Sequence, residues 1–185
     1  MTTTLDQAMA TYVGKRWSDC VALIEARFGR CPDGLHAEWT RRCHARAPLE
    51  LMPVVGALDF MKSRNEGRCI ASSSPLDWIH MGLNRFDLTA TFGGPIFSAT
   101  VHVTRGKPHP DLFLHAAAEM QVDPARALVI EDSLSGVTAG AAAGMTVVGL
   151  CAGGHMRDGD GARLRQAGAH HVVDDYAEIS AILDA

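Results

Sequence analysis

The stretch Leu128-Val129-Ile130-Glu131-Asp132-Ser133 decides the fold of this chain. It belongs to a short apolar run, Ala127 to Ile130, which predicts a buried strand with two carboxylates at its end. The segment from Ser133 to Gly144 is rich in small residues and ends at a glycine, which predicts a helix with a glycine C-cap. A buried strand followed by such a helix is one unit of an α/β protein.

Similar segments lie on both sides of this unit. Towards the carboxyl terminus, Met145–Leu150 and His171–Val173 are predicted strands, and Tyr176–Leu183 is a predicted last helix. Towards the amino terminus, Cys69–Ala71 and Leu88–Phe92 are predicted strands with a helix between them. This alternation predicts a Rossmann-like parallel sheet that is covered by helices on both faces.

The opening of the chain has a different pattern, with apolar residues at helical spacing only. Gly14 separates the first two predicted helices, and Ser18 is a predicted N-cap of the second. We therefore expect residues 1–53 to form a small helical cap domain and residues 54–185 to form the α/β core.

Composition excludes several classes of function. The chain has 185 residues, 47% of them hydrophobic, and a net charge of −4 without a long basic run, which argues against a nucleic-acid partner. No apolar stretch approaches the ~20 residues that span a bilayer, and the sequence MTTTLDQAM does not resemble a signal peptide. We expect a cytoplasmic protein without a membrane partner. The five cysteines include no Cys-x-x-Cys pair that would indicate a zinc site.

The first of three polar clusters is Ser72-Ser73-Ser74-Pro75, between a predicted strand and a predicted helix. Ligands of open α/β sheets bind at the carboxyl ends of the strands, and a helix amino terminus favours an anion. The cluster predicts a phosphate site, with Ser73 and Ser74 binding the substrate. The alternative is that Ser74 is only an N-cap.

The second cluster is Gly106-Lys107-Pro108-His109-Pro110. Its prolines rigidify the approach to a helix and hold Lys107 at the mouth of that helix, where an ammonium could neutralise a phosphate or a carboxylate. A lysine before a proline is often a solvated surface residue, and that interpretation stays open.

The third cluster is the pair Glu131-Asp132. Adjacent carboxylates at the end of a buried strand repel each other and are costly to desolvate unless a cation lies against them. Oxygen ligands suit Mg²⁺, so the pair predicts a magnesium site. The alternative is that Asp132 or Ser133 caps the following helix.

Taken together, Ala71-Ser72-Ser73-Ser74, Gly106-Lys107-Pro108 and the segment from Val129 to Gly136 resemble the second, third and fourth motifs of the haloacid dehalogenase superfamily. The extension Pro110-Asp111-Leu112-Phe113 and the helical opening resemble the subgroup of β-phosphoglucomutase-like sugar phosphatases. The resemblance implies a Mg²⁺-dependent phosphatase that acts on a small phosphorylated metabolite such as a sugar phosphate.

The resemblance also assigns roles to individual residues. In the family a loop serine or threonine hydrogen-bonds the transferring phosphoryl group, and a lysine steadies the nucleophile and the phosphate. These catalytic roles fall on Ser72 and Lys107. The strand-end acids that hold the metal correspond to Glu131 and Asp132. Such groups act by positioning and charge neutralisation.

The chain departs from the family in its first motif, an Asp-x-Asp pair after an apolar strand, whose first Asp is the nucleophile. No aspartate near the amino terminus follows such a strand; the candidates are Asp6, Asp19, Asp59 and Asp87. The resemblance implies that the first, central core strand is missing between the strands ending at Ser72 and Glu131. Three explanations are open. The start of the coding sequence was assigned downstream of the true one, the gene is shortened, or another chain supplies the missing strand. We expect no activity from the chain as written.

Two further functions stay open. One is a β-phosphoglucomutase-like phosphomutase, and the other is a non-catalytic module that binds phosphorylated metabolites. Three basic residues have two open interpretations: they bind the leaving group of the substrate, or they are plain surface charges. They are Lys15, Arg16 and Arg41. His155, in the glycine-rich stretch 153–161, is interpreted as a solvated loop residue, with a role in gating the site as the alternative.

Overall fold

Helices alone form the opening of the chain in the computed structural model, which describes residues 3–185. They are α1 (Leu5–Tyr12), α2 (Trp17–Phe28) and α3 (Leu35–Glu50). The predicted helical character is confirmed, although Met1 and Thr2 lie outside the described residues. The boundary at residue 53 between two domains stays a prediction.

The predicted N-cap of α2 is wrong. Ser18 lies inside the first turn of α2, and Arg16 is the N-cap residue, with extended backbone. The side chain of Arg16 binds Asp19 in that first turn, which joins the start of the helix to the preceding segment.

After residue 56, helices alternate with strands. The elements are α4 (Ala57–Ser63), β1 (Ile70–Ser72), α5 (Leu76–Arg85), α6 (Thr89–Phe92), β2 (Ile96–Ser98), α7 (Asp111–Glu119), a 3₁₀ turn (Pro124–Arg126), β3 (Leu128–Glu131), α8 (Leu134–Ala142), β4 (Thr146–Leu150), α9 (Asp160–Gln166), β5 (His171–Val173) and α10 (Tyr176–Leu183). The predicted α/β class is confirmed.

The strand predicted over Leu88–Phe92 is wrong, because this segment contains the short helix α6. The side chains of Leu88 and Phe92 are four residues apart and lie on one helical face, where both are buried in a cluster with Leu83. The strand that pairs with β1 is Ile96–Ser98, which the sequence analysis did not identify.

The strands form two separate parallel sheets, β1-β2 and β3-β4-β5. In β1-β2, Ala71 lies opposite Phe97, and in the second sheet Glu131 lies opposite Gly149. Among residues 3–185 no strand joins β1 to β3. The side chain of Lys107 contacts both strands across this gap.

Close packing of α8 on the second sheet fixes the position of the polar residues at the end of β3. A Cβ atom on Gly140 would lie 2.9 Å from Cγ2 of Val147, so only glycine permits this approach. Val137, Ala139 and Val147 are fully buried in the same interface. The amino terminus of α8 is thereby held beside the carboxyl end of β3. Across residues 3–185, none of the helices combines the length and hydrophobicity needed to cross a bilayer.

Candidate active site

The carboxyl ends of β1 and β3 open into one cleft of about 330 Å³. The structure brings all the predicted site residues together in its wall: Ser72, Ser73, Ser74, Lys107, Glu131 and Asp132. Val54, Leu150 and Tyr176 add a largely apolar side, and Gly14 and Lys15 add a third. The roles assigned to these residues stay predictions, but their convergence was the expected result of a parallel arrangement.

Lys107 lies at the base of the cleft and is buried, with 5% of its side chain exposed. Its Nζ donates to the carbonyl oxygen of Ala71 at 3.0 Å and forms an ion pair with Glu131. It also lies 4.7 Å from the ring centroid of Phe113, within cation–π range. The interpretation of Lys107 as a solvated surface residue is therefore wrong.

The Ala71 carbonyl belongs to the open edge of β1. Ile70 and Ser72 use their backbone groups on the β2 side, through bonds to Pro95 and from Ala99. Because backbone groups of successive strand residues alternate in direction, Ala71 directs its carbonyl away from β2. The Lys107 ammonium satisfies this carbonyl.

Glu131 is fully engaged by neighbouring side chains. One carboxylate oxygen pairs with Lys107, and the other accepts a hydrogen bond of 2.9 Å from the Ser133 hydroxyl. The Ser133 hydroxyl in turn accepts from the backbone N–H of Gly136 at 3.0 Å, so Ser133 caps α8 as the alternative interpretation proposed. The role of Glu131 as a magnesium ligand stays a prediction, and its oxygens already have partners.

The Glu131 side chain also requires glycine at position 136. A Cβ on Gly136 would lie 2.0 Å from Cδ of Glu131. We expect Gly136→Ala to push Glu131 away from Lys107 and to lower the free energy of unfolding by ~1–3 kcal/mol, as overpacking does. Urea unfolding measures the change. Gly82→Ala in α5 is the matched control, because no atom lies within 4 Å of its Cβ position; it should be neutral or stabilising. Equal effects of the two substitutions would contradict this account.

Asp132 differs from Glu131 because, within residues 3–185, no neighbouring group donates a hydrogen bond to its carboxylate. Within residues 3–185 its carboxylate accepts no hydrogen bond, and 48% of the side chain is exposed. The side chain of His155 lies beside it, with Nε2 at 3.6 Å from Oδ2. Desolvation and the negative charge of Glu131 raise the pKa of Asp132, while His155 acts in the opposite direction. Asp132 therefore has oxygen atoms available for an added cation.

The serine loop is held by hydrogen bonds within the loop and to β2. The backbone N–H of Ser74 donates to the Ser72 hydroxyl at 3.1 Å, and the Ser98 hydroxyl donates to the Ser74 carbonyl at 2.6 Å. Pro75 is the N-cap residue of α5, and no side chain makes a capping hydrogen bond to this helix. The interpretation of Ser74 as the N-cap is therefore wrong. The Ser74 hydroxyl makes no hydrogen bond to any residue of the described chain.

The turn between α1 and α2 covers the serine loop. The Ser73 hydroxyl donates to the Gly14 carbonyl at 2.6 Å, and the Ser135 hydroxyl donates to the Val13 carbonyl at 3.0 Å. Gly14 has φ +79°, and a Cβ there would lie 2.2 Å from Oγ of Ser133. Sequence analysis identified Gly14 only as a helix breaker; its contact with the site required the tertiary structure.

The three basic residues singled out in the sequence differ in availability. Lys15 lines the cleft. Arg16 is committed to Asp19 and to backbone carbonyls, including that of Thr104 at 3.0 Å. Arg41 pairs with Glu38 on the exposed surface of α3. Lys15 is therefore the one of the three that lines the cleft, and there its Nζ donates to the Thr11 carbonyl at 2.7 Å.

One Asp-x-Asp pair occurs in the sequence, Asp158-Gly159-Asp160, and it lies at the start of α9. Asp160 accepts hydrogen bonds from the backbone of Arg157 and from the side chain of Arg163. Neither aspartate follows a strand, so this pair does not match the first motif of the resemblance.

Comparisons with known proteins agree with this architecture. The sequence profile of the haloacid dehalogenase-like hydrolases matches residues 31–144. A phosphorylated carbohydrates phosphatase of Thermotoga maritima is 35% identical over 118 residues, which cover 63% of this chain and 52% of the relative. A β-phosphoglucomutase of Mycobacterium bovis is 49% identical over 75 residues, 40% of this chain and 28% of the relative. The chain spans about half, or less, of the length of these curated relatives.

A solved structure extends the similarity over nearly the whole chain. The haloacid dehalogenase-like protein of unknown function from Agrobacterium tumefaciens has a TM-score of 0.81 and 27% identity, covering 98% of this chain and 82% of the other. Profile and structure agree with the family resemblance of the three motifs. The chain therefore belongs to the haloacid dehalogenase-like hydrolases, a family of enzymes.

Proposed function

We propose that this chain forms the phosphate-binding part of a phosphatase that acts on a small phosphorylated metabolite, such as a sugar phosphate. The observation that carries the proposal is the buried Lys107 ammonium at the ends of β1 and β3, in one cleft with the three serines. Related proteins named as a phosphorylated carbohydrates phosphatase and a β-phosphoglucomutase support phosphorylated sugars as the substrate class.

The cleft can neutralise a phosphoryl group. Lys107 places a buried ammonium, paired with Glu131, in the wall of the cleft, and Ser72, Ser73 and Ser74 place hydroxyls beside it. Such groups stabilise the charge that spreads over phosphoryl oxygens during transfer, because they are already oriented before the reaction. Lys15 on the opposite side is suited to contact the part of the substrate that is not transferred.

Magnesium fits the donor chemistry of Asp132. Mg²⁺ keeps several waters and often uses one or two carboxylates together with a substrate phosphate. Asp132 supplies one free carboxylate at the edge of the cleft, whereas residues 3–185 contain no cluster of three or more metal-ligating side chains. We propose that Asp132 holds the ion directly. When bound, the ion would supply positive charge against the phosphoryl oxygens.

The chain as written lacks a residue for the first chemical step. No Asp-x-Asp pair directly follows a strand, so no aspartate matches the one that forms an aspartyl-phosphate in the resemblance. We therefore propose that these 185 residues bind phosphate without turnover, and that a strand ending in Asp-x-Asp would complete the site. A cytoplasmic location and the absence of a nucleic-acid partner belong to the same proposal.

A phosphomutase is the second candidate, and the 49% identity to a β-phosphoglucomutase favours it. A mutase would use the same cleft for the phosphoryl group. It would also require the helical opening to hold a bisphosphate while the intermediate turns round, and Lys15 is the cleft residue suited to that task.

Calorimetric titration of inorganic phosphate into the 185-residue protein, with Mg²⁺ present, tests the proposal. We expect binding by the wild type, and a loss of roughly tenfold or more in Ser72→Ala, because a hydrogen bond to a charged group contributes about 1.5–3 kcal/mol. Ser63→Ala, at the exposed end of α4, is the matched control. No phosphate binding by the wild type, or equal affinities of the two variants, would refute the assignment of this cleft.

A further inference from the structure

His155 lies in the loop between β4 and α9, and its ring is held in place by the backbone of that loop. A Cβ on Gly153 would lie 2.6 Å from Cε1 of His155, so the ring packs directly on the glycine. The backbone N–H of Met156 donates to the Gly153 carbonyl at 2.9 Å and closes the turn. The side chain is 33% exposed, so the interpretation of His155 as a solvated loop residue holds for part of the ring, whereas Nε2 is buried.

The Nε2 atom of His155 is buried and lacks a hydrogen-bond partner in the described part of the chain. Buried polar atoms without partners are rare in proteins and costly, so they call for an explanation. The nearest carboxylate oxygen is Oδ2 of Asp132, at 3.6 Å. This separation is roughly 0.6–0.7 Å longer than an ordinary N–H···O hydrogen bond, so the two atoms are not bonded.

Asp132 needs a donor as much as His155 needs an acceptor. The neighbouring Glu131 is neutralised by Lys107 and receives a hydrogen bond from Ser133, whereas the Asp132 carboxylate receives none within the described residues. A side chain free to rotate is a poor metal ligand, because a carboxylate that binds an ion is usually oriented by hydrogen bonds from a second layer of residues.

We propose that His155 is a positioning residue that holds the Asp132 carboxylate for a divalent cation. With the ion bound, a small approach from 3.6 Å would let the imidazole Nε2–H donate to Oδ2, and Oδ1 would be left for the ion. This inference rests on the proposed function, since it assigns a partner to the cation ligand of that site. Other histidines are not placed for the role: Nδ1 of His170 accepts from the backbone of Val147, and His171 is exposed on β5.

Binding of Mn²⁺ to the 185-residue protein, with inorganic phosphate present, tests this inference. The free ion is counted by its electron paramagnetic resonance signal. We expect His155→Ala to raise the dissociation constant for Mn²⁺ by about tenfold or more, as loss of an orienting partner does. His155→Gln keeps an N–H donor and should restore most of the affinity. His171→Ala is the matched control and should behave as wild type.

A double variant separates positioning from a general structural effect. In the background of Asp132→Asn, His155→Ala should cause no further loss of Mn²⁺ affinity, because His155 acts through Asp132. Unchanged affinity in His155→Ala, no rescue by glutamine, an additive loss in the double variant, or no Mn²⁺ binding by the wild type would each overturn the inference. If the wild type still binds phosphate in any of these cases, the proposed function of the cleft stands without it.

Discussion

Lys107→Ala is expected to lower the free energy of unfolding by about 3–5 kcal/mol, the range typical of a buried charge that loses its partner. Glu131, with only 10% of its side chain exposed, would lose its cationic partner. The Ala71 carbonyl would lose its donor at the same time. Urea unfolding, followed by circular dichroism, measures the change from the shift in midpoint at constant slope.

The double variant Lys107→Ala/Glu131→Gln provides the control. Removing both charges should recover a substantial part of the loss, since the largest cost comes from the unpaired carboxylate and not from the missing ammonium. Lys62→Ala, at an exposed position of α4, should change stability by less than about 0.5 kcal/mol. A Lys107→Ala protein as stable as the Lys62→Ala protein would show that the ion pair contributes nothing.

Extending the chain at its amino terminus by an apolar strand that ends in Asp-x-Asp is expected to create Mg²⁺-dependent phosphatase activity. The 185-residue protein should show none, because none of its Asp-x-Asp sequences directly follows a strand. Assays of both proteins with sugar phosphates and p-nitrophenyl phosphate measure the difference. In the extended protein, Lys107→Ala and Ser72→Ala should each lower kcat on the order of 10²-fold or more.

The extension needs its own control, a strand ending in Asn-x-Asn. The Asn-x-Asn strand should pack like the Asp-x-Asp strand but should not give turnover. Activity seen only with Asp-x-Asp can then be assigned to the added carboxylates. Metal-dependent turnover by the 185-residue protein, abolished by Asp132→Ala, would mean that a nucleophile is already present and that the account of the missing motif is wrong.

Sequence patterns were sufficient where local signals agreed with each other. β3, α8 and β4 were predicted to within two residues at each end, because an apolar run, a small-residue helix and a glycine follow in order. β5 and α10 were predicted with the observed bounds. In these segments propensity, periodicity and capping all favour the same structure.

The segment around α6 was predicted wrongly because its local signals conflict. Leu88-Thr89-Ala90-Thr91-Phe92 is rich in residues that favour strands, yet burial of Leu88 and Phe92 on one side selects a helical turn. β2 was missed because it is only three residues long and directly follows Gly94 and Pro95, which are typical of turns. Such short strands are defined by their neighbour, here β1, and not by their own composition.

The sequence predicted which polar residues converge on the cleft, but not their contacts. The polar clusters predicted that Ser72, Lys107 and Asp132 lie together, because parallel strands bring their carboxyl ends to the same edge of a sheet. The bond from Lys107 to the Ala71 carbonyl and the approach of His155 to Asp132 join residues far apart in the chain. No spacing or periodicity encodes such contacts.

The Lys107 ammonium donates to the Ala71 carbonyl at a position where a neighbouring strand would donate a backbone N–H. A strand that docked beside β1 would offer its own N–H to the same carbonyl, and the two donors would compete for it. Docking of such a strand would therefore change the hydrogen bonding of Lys107, while its ion pair with Glu131 would remain in the wall of the cleft. Addition of a strand beside β1 and rearrangement of the contacts of Lys107 would then occur together.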